Sequence, residues 1–205
     1  MKIENQEKVW DEIAPFWSKY KKIKTNEKES LIESFISEND LVLDIGCGSG
    51  RNFINRGKWH AIDFSKEMLK LAEKNAEAKK MKVVFEKSEA DNLPFKDNLF
   101  DKVIMIATFH CIKTKEKREK TLKEIFRVLK QSGKILITVW NKNSKRWKNK
   151  PKEKLVSWNI AGKKVWRYYY LYTQEELINE LEKTGFKIIK SSKDDSRNIV
   201  IEAGK

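Results

Sequence analysis

Cysteine and long apolar runs are the scarcest features of this 205-residue chain. The two cysteines, Cys47 and Cys111, have neither the spacing of metal ligands nor that of a disulfide framework, so we expect reduced thiols and no bound metal. No apolar run approaches the length of a membrane span, and the first residues, MKIENQEK, do not resemble a signal peptide. These absences predict a soluble, cytoplasmic protein that makes no contact with a membrane.

Acidic residues are outnumbered, because 30 Asp and Glu stand against 44 Lys and Arg, and the net charge is +14. Such an excess favours a polyanionic partner such as nucleic acid, although a lysine-rich proteome gives the same bias. Most of the excess lies in residues 141–167, which contain ten Lys or Arg and one acid, Glu153. We predict that this segment is a basic insertion in the domain.

Tryptophan is interleaved with these basic residues, at Trp147, Trp158 and Trp166. Basic and aromatic side chains in one segment can supply phosphate contacts and stacking platforms for nucleic acid. The alternative is a solvated lysine-rich loop whose tryptophans fold back onto the core. The basic residues that we predict to bind substrate are Lys145, Arg146, Lys148 and Lys150.

Glycine is also scarce, with eight in the chain, yet Gly46, Gly48 and Gly50 fall in one stretch, DIGCGSG. The apolar run before them, LVLDI, is too short for a helix and is typical of a strand buried on both faces of a parallel sheet. Alternate glycines allow a sharp turn and let a ligand lie against bare backbone. Their last gap is one residue shorter than in a dinucleotide-binding loop, so a phosphate is not the expected ligand.

Two carboxylates accompany this glycine loop. Asp44 precedes it and would repel a phosphate but attract an ammonium group. Asp63 ends the next predicted strand, at about the distance from the loop at which an acid accepts both hydroxyls of a ribose. Ribose and ammonium without phosphate indicate S-adenosylmethionine. The alternative is a glycine-rich turn in an unrelated α/β protein.

DIGCGSG followed by AIDFS resembles the cofactor motifs of class I methyltransferases. The resemblance implies an α/β fold in one domain, residues 1–205, with a seven-stranded, mostly parallel, doubly wound sheet closed by an antiparallel pair. It implies S-adenosylmethionine as cofactor, with an acid after the third strand on the adenine amino group, for which Asp91 competes with Glu89. The implied cofactor contacts are Asp44, Gly46, Gly48, Gly50, Asp63, Phe64, Glu89 and Ala107.

Residues 4–24 are predicted to form a helix and a lid. Their aromatic and aliphatic residues recur at helical spacing and would form an apolar stripe on one face of the helix. This stripe either packs in the core or lies over the cofactor loop. Pro15 is predicted to kink or divide the helix. The polar end, SKYKK, could close as a lid whose Tyr20 reaches the cofactor.

The fourth predicted strand ends at Ala107 and is followed by TFHC. Active sites of open α/β sheets collect at the carboxyl ends of strands, so this segment should line the site. His110 is a candidate proton acceptor, with a hydrogen-bonded pocket histidine as the alternative. Trp140 ends the fifth predicted strand and either stacks on a base or packs in the core. The chain lacks both the Asn-Pro-Pro-aromatic signature of amino-group methyltransferases and a Pro-Cys pair for attack on a pyrimidine.

Five stretches together resemble one subfamily, the tRNA wobble-uridine carboxymethyl methyltransferases, which convert 5-carboxymethyluridine to its methyl ester. They are VWDEIAPFW, DIGCGSGRN, NLPFKDNLFDKVIMIATFH, the strand ending in Trp140, and RYYYLY. The chain departs from the family at Tyr170, where histidine is usual, and at Cys111, where a second histidine is common. The resemblance implies tRNA as partner and, from eukaryotic members, names a small zinc-containing activator subunit as a further candidate.

The chemistry of that family suits the residues. A carboxylate is ionised at neutral pH, so it needs no strong base and only has to be held in line with the methyl–sulfur bond. Arg167 could hold the carboxylate bidentately, while Tyr168 and Tyr170 orient the base. The predicted catalytic residues are therefore Arg167, Tyr168 and His110, with Trp140 and Tyr170 among the substrate contacts. The alternatives are a small-molecule carboxyl or hydroxyl methyltransferase, and an RNA-binding module that keeps the cofactor only structurally.

Overall fold

The computed structural model describes residues 4–20 and 26–205, without the side chains of residues 18–20 and 26–29. None of the helices in these ranges combines the length and the apolar character of a membrane span. The helices are α1 (Gln6–Tyr20), α2 (Asn26–Phe35), α3 (Lys66–Ala78), α4 (Lys115–Val128), α5 (Gln174–Thr184) and a short 3₁₀ turn (Phe109–Cys111).

Seven strands form one sheet, in the order β3-β2-β1-β4-β5-β9-β8. The neighbours from β3 to β5 pair in parallel, and β9 runs antiparallel to both β5 and β8. The predicted seven-stranded sheet with an antiparallel closing pair is confirmed. The strands are β1 (Leu41–Ile45), β2 (Lys58–Asp63), β3 (Val83–Lys87), β4 (Phe100–Ile106), β5 (Leu129–Trp140), β6 (Glu153–Ile160), β7 (Lys163–Tyr170), β8 (Lys187–Ser191) and β9 (Asn198–Gly204).

Strand β1 lies near the centre of the sheet because it is apolar on both faces. Leu43 and Ile45 pack in the core cluster that includes residues of α4 and α5, whereas Val42 packs in the cluster on the other face, with α2 and α3. Alternate side chains of a strand point to opposite faces, so one short apolar run is buried between two helical layers. The loop after β1 thereby follows a strand that is buried on both faces.

Strand β5 is longer than the sequence pattern predicts. The helical spacing of apolar residues after Thr114 predicts a helix to Lys130, and the run ILITVW predicts a strand from Ile135. The structure differs, because α4 ends at Val128 and β5 begins at Leu129. The reason is tertiary pairing, since Leu129 is fully buried and pairs with Phe100 of β4. Gly133, predicted near the helix end, lies inside the strand.

The basic insertion contains a β-hairpin of its own. Residues 141–152 form turns, and β6 and β7 pair antiparallel as a two-stranded sheet apart from the main one. The connecting residues, Ala161 and Gly162, have φ values of 47° and 91°, as in the tight turns that match strand twist. The RYYY motif is the end of β7.

Helix α1 bridges the hairpin and α3. Pro15 was predicted to kink or divide α1, but the helix continues through it without division. Pro15 is exposed to solvent. The Gln6 side chain pairs with the edge of β7, donating to the Trp166 carbonyl (3.1 Å) and accepting from the Tyr168 N–H (2.8 Å). Asp11 accepts from the Ser65 hydroxyl (2.6 Å) at the start of α3. The predicted lid extends into residues 21–25, which lie outside the described part.

Candidate active site

A cavity of about 390 Å³ opens at the carboxyl ends of β1, β2 and β4. It is lined by the glycine loop after β1, by the residues that follow β2, β3 and β4, and by side chains of α1. This is the edge at which open α/β sheets bind ligands.

The glycine loop is shaped by contacts on one side and open space on the other. The N–H groups of Gly46 and Cys47 both donate to the Ile62 carbonyl, at 2.8 and 3.0 Å. A Cβ at Gly46 would lie 2.2 Å from the Thr108 side chain, so that position must be glycine for packing. Gly48, with φ of +55°, has no atom within 4 Å of a built Cβ, and it faces the cavity. Gly50 packs on Phe53 and does not line the cavity.

Asp63 holds this loop as well as lining the cavity. Its carboxylate accepts from the N–H of Gly48 at 2.8 Å and from the N–H of Ser65 at 2.9 Å. Burial raises the pKa of Asp63 to about 6, although these backbone hydrogen bonds oppose the shift. Each carboxylate oxygen keeps further acceptor capacity for a ligand hydroxyl.

Asp44 lies behind the wall of the cavity. It is fully buried, and the Asn52 amide donates to its carboxylate at 3.0 Å. Asn52 lines the cavity, whereas Asp44 does not. The ammonium hypothesis requires the Asp44 carboxylate to face the ligand. The structure does not bring it to the cavity surface.

The adenine end of the predicted site is open to solvent. Glu89 lines the cavity and pairs with Lys117 of α4 at 3.5 Å, whereas Asp91 does not line it. Phe64 also lines the cavity. The side chain of Tyr20 lies outside the described residues, so its predicted contact stays a prediction.

The end of β4 is tied to the glycine loop. Ala107 has φ of 55°, a left-handed conformation that costs a non-glycine residue about 1–2 kcal/mol. Its N–H donates to the Thr138 hydroxyl at 2.9 Å, and the Thr108 hydroxyl donates to the Gly46 carbonyl at 3.1 Å. Ala107 lines the cavity, where its backbone is held by these neighbours rather than by its own preference.

Four rings stack beside the cavity. Trp140 lies nearly parallel to Tyr169 (centroids 4.1 Å apart), to Trp147 (5.1 Å) and to His110 (5.1 Å). These protein partners favour the packing role for Trp140 over stacking on a base. Trp140, His110 and Tyr169 all line the cavity.

Arg167 lies in an aromatic enclosure that we call the Arg167 cage. Its guanidinium carbon is 5.0–5.7 Å from the ring centroids of Trp10, Trp17, Trp158 and Tyr169. Its Nη1 donates to the Tyr169 hydroxyl at 2.9 Å, and its Nε is buried without a partner. Among the described residues no carboxylate pairs with it, and Arg167 is only 6% exposed. Arg167 itself does not line the cavity, but three rings of the cage do.

Tyr168 and Tyr170 face away from the cage. Successive strand residues point to opposite sides, so Arg167 and Tyr169 share one face of β7, and Tyr168 and Tyr170 share the other. Arg118 of α4 packs over the Tyr170 ring at 4.1 Å, and the Tyr170 hydroxyl donates to Glu176. The structure does not bring these two tyrosines to the cavity.

The basic candidates lie on the surface beyond Trp140. Lys145, Arg146, Lys148 and Lys150 are exposed and do not line the cavity. Arg146 lies over the Trp147 ring at 4.5 Å. Trp147 is buried and Trp158 packs against α1, so these two tryptophans serve the core rather than an open stacking platform.

Residues 36–201 match the model of a methyltransferase domain family. The chain belongs to this methyltransferase family. A solved S-adenosylmethionine-dependent methyltransferase from Methanosarcina mazei superimposes with a TM-score of 0.71 at 25% identity, covering 85% of this chain and 96% of that one. The fold is that of class I methyltransferases, and the cofactor is S-adenosylmethionine.

Sequence relatives of the methyltransferase include tRNA-modifying proteins. A tRNA (carboxymethyluridine(34)-5-O)-methyltransferase of Arabidopsis thaliana is 31% identical over 135 residues, 65% of this chain and 32% of that protein. An enzyme of the same description from Xenopus tropicalis is 32% identical over 71% of this chain and 22% of its own length. An uncharacterised protein of Methanocaldococcus jannaschii is 31% identical over 88% of this chain and 75% of its own length. The chain thus spans a third or less of the two tRNA methyltransferases.

The cavity of this methyltransferase fits the cofactor. Gly48 leaves room for a ligand against bare backbone, Asp63 offers acceptors for ribose hydroxyls, and Glu89 would accept from the adenine amino group. When bound, S-adenosylmethionine supplies a methyl group activated by a sulfonium. Burial raises the pKa of Cys111 to about 12, so its thiol stays protonated at neutral pH.

Sequence reasoning missed several residues of the methyltransferase site. Tyr169 was passed over for its two neighbours, although period-2 alternation from Arg167 would have selected it. The stripe that contains Trp10 and Trp17 was predicted either to pack in the core or to lie over the cofactor loop, and both residues line the cavity. Asn52 carried no distinctive signal, because an isolated amide after a glycine loop is common.

Proposed function

We propose that this methyltransferase transfers a methyl group to the carboxylate of a 5-carboxymethyl-type wobble uridine in tRNA and forms a methyl ester. The observation that carries the proposal is the Arg167 cage. It places a buried positive charge, without a carboxylate partner among the described residues, next to the cavity that holds the cofactor. An acidic substrate would supply the missing negative charge.

The cage favours an anion over a neutral acceptor. Four rings offset part of the cost of burying the guanidinium, since each cation–π contact contributes about 0.5–2 kcal/mol. Burying a cation without a counter-ion still costs free energy, and an incoming carboxylate relieves that cost. The rings also exclude water, which strengthens the attraction between the two charges.

The chain's own residues then need only to bind and orient the acceptor. A carboxylate oxygen forms the new bond to the methyl carbon while the carbon–sulfur bond breaks and its electron pair stays on sulfur. No proton is transferred, so His110 has no required role as a base, and its stacking on Trp140 serves the shape of the wall. The products are a methyl ester and S-adenosylhomocysteine.

The nucleic-acid part of the proposal is supported by the relatives and by the basic surface. The turns of residues 141–152 present exposed lysines beside the ring stack that lines the cavity. A tRNA bound there by its phosphates could place one flipped-out base at the cavity. The zinc-containing activator subunit stays a prediction from the family resemblance, and the cytoplasmic location stays a prediction from the sequence.

The test uses methyl-labelled cofactor and two bulk tRNA pools, one from a strain that makes carboxymethyluridine and one from a strain that cannot. We expect label in the first pool only, and its loss on mild alkaline hydrolysis, as for an ester. Alkali-stable label in both pools would overturn the substrate while keeping the methyltransferase. If neither pool is labelled, co-purification with a candidate activator follows, and continued absence of label would overturn the proposal.

A further inference from the structure

The hydroxyl of Tyr169 is arranged as a hydrogen-bond donor with a proton to give. Arginine has no acceptor, so in the contact with Arg167 Nη1 the Tyr169 oxygen must accept, at 2.9 Å. That contact is its one hydrogen bond among the described residues. The described residues provide no acceptor for the O–H proton of Tyr169.

The ring that carries this hydroxyl is fixed in place. Tyr169 stacks on Trp140 at 4.1 Å and on His110 at 5.4 Å, and it is 3% exposed. Tyr169 lines the cavity together with Ala107, which follows the end of β4. A donor on a fixed ring at that position needs no reorganisation when an acceptor arrives.

The neighbouring guanidinium makes the donor stronger. A positive group that donates to the phenol oxygen withdraws electron density from it and polarises the O–H bond toward an anion. Burial raises the pKa of Tyr169, with Arg167 opposing the shift, so the group remains protonated at neutral pH. Arg167 is a layer behind the cavity wall, whereas Tyr169 is part of it.

We propose that Tyr169 donates a hydrogen bond directly to the carboxylate of the substrate, and that Arg167 is a positioning residue that acts through Tyr169. This inference rests on the proposed function. The hydrogen bond occupies one carboxylate oxygen and leaves the other for attack on the methyl group. Because the negative charge is neutralised as the ester forms, the contact is stronger to the substrate than to the transition state or product.

The consequence is a preference for acid over ester. A hydrogen bond to a charged acceptor contributes about 1.5–3 kcal/mol, which corresponds to roughly tenfold to a hundredfold in affinity. A methyl ester keeps its carbonyl oxygen but loses the charge, so it gains much less from the Tyr169 hydroxyl. The same contact would select the substrate and release the product.

The first test compares Tyr169→Phe with wild type on tRNA that carries the acid. We expect KM for this tRNA to rise about tenfold to a hundredfold, with kcat changed much less and with unchanged affinity for S-adenosylhomocysteine. Tyr172→Phe is the matched control, since it also removes a buried hydroxyl, one bonded to Glu180 rather than to Arg167. An unchanged KM in Tyr169→Phe would overturn the contact.

The second test needs no turnover. With S-adenosylhomocysteine bound, wild type should bind acid-bearing tRNA more tightly than ester-bearing tRNA. Tyr169→Phe should reduce the ratio of these two affinities, whereas Tyr172→Phe should leave it unchanged. Equal ratios in wild type and Tyr169→Phe would overturn the inference. If Arg167 acts through Tyr169, Arg167→Gln should add little to the KM of Tyr169→Phe, whereas multiplicative effects would show that Arg167 contacts the substrate itself.

The outcomes separate this inference from the proposed function. If wild type esterifies the acid-bearing tRNA but Tyr169→Phe does so with the same KM, the function stands and the Tyr169 contact is overturned. If wild type forms no ester on that tRNA under any of the conditions above, both are overturned. A thermal melt of each variant shows whether a loss reflects unfolding.

Discussion

The carboxylate of Asp63 links the ligand site to the pH of the solution, because burial raises its pKa to about 6. A ribose hydroxyl donates to the ionised form, so affinity for S-adenosylhomocysteine should fall as the pH drops through that value. The ionised fraction decreases about fivefold between pH 6 and pH 5. Isothermal titration from pH 8 to pH 5 measures the effect.

The control for this prediction is Asp63→Asn. This variant should bind S-adenosylhomocysteine more weakly, and its affinity should not fall between pH 6 and pH 5. The same step in Asp63→Asn would assign the titration to another group. The pH dependence of folding stability has the opposite sign to that of ligand affinity. Since the pKa of Asp63 is raised in the native state, its contribution to folding stability is fully present below its unfolded-state pKa near 4. That contribution is lost as the pH rises through about 6.

Two glycines of one loop should respond differently to the same substitution. Gly46→Ala should destabilise the protein by about 2–5 kcal/mol, because its Cβ would lie 2.2 Å from Thr108 at a left-handed φ. Gly48→Ala should cost about 1–2 kcal/mol from φ alone and mainly weaken cofactor binding. Denaturant unfolding and titration with S-adenosylhomocysteine measure the two effects. A larger loss of stability in Gly48→Ala than in Gly46→Ala would contradict this reading of the loop.

Among the elements, α1 contacts β7 through apolar packing, an ion pair and the side-chain amide of Gln6. Gln6→Ala removes two hydrogen bonds, to the Trp166 carbonyl and from the Tyr168 N–H, each contributing about 0.5–1.5 kcal/mol. We expect faster amide hydrogen exchange in α1 and β7 with little change in β1. Lys8→Ala is the control, since Lys8 is exposed on the same helix. Unchanged exchange in α1 would show that its apolar packing suffices.

The central strands could be predicted from the sequence, whereas the hairpin could not. Strand β1 is a short apolar run before a glycine turn, and its parallel neighbours repeat the pattern. Strands β6 and β7 carry lysines and aromatic residues in place of an aliphatic alternation, so the segment resembled a basic loop. Because the segment was not recognised as a strand, the alternation that puts Arg167 and Tyr169 on one face could not be applied.

For the whole molecule, the uneven charge should appear in the salt dependence of tRNA binding. Replacing Lys145, Arg146, Lys148 and Lys150 together with Ala should reduce the slope of log affinity against log salt by about four. The control replaces four exposed lysines outside the basic insertion, Lys58, Lys74, Lys82 and Lys187, and should change the slope much less. Equal changes in both variants would mean that the charge acts without a defined surface.

The site as a whole was predictable only where a motif carries it. The glycine loop and Asp63 have fixed positions relative to β1 and β2, so the sequence located them. The Arg167 cage joins residues of α1 and of the hairpin, which are far apart in the chain. Nothing in the local pattern of either segment indicates that a single guanidinium brings them together.

Helix α1 touches both ends of the cavity, through Asp11 on Ser65 beside Asp63 and through Trp10 over Arg167. Two ligands that act on one helix should be thermodynamically linked, so S-adenosylhomocysteine should tighten tRNA binding by the same factor by which tRNA tightens S-adenosylhomocysteine. A factor of one would show that α1 does not couple the two binding sites. With a larger factor, the enzyme would hold its tRNA longest while a cofactor is bound and let it go once that cofactor leaves.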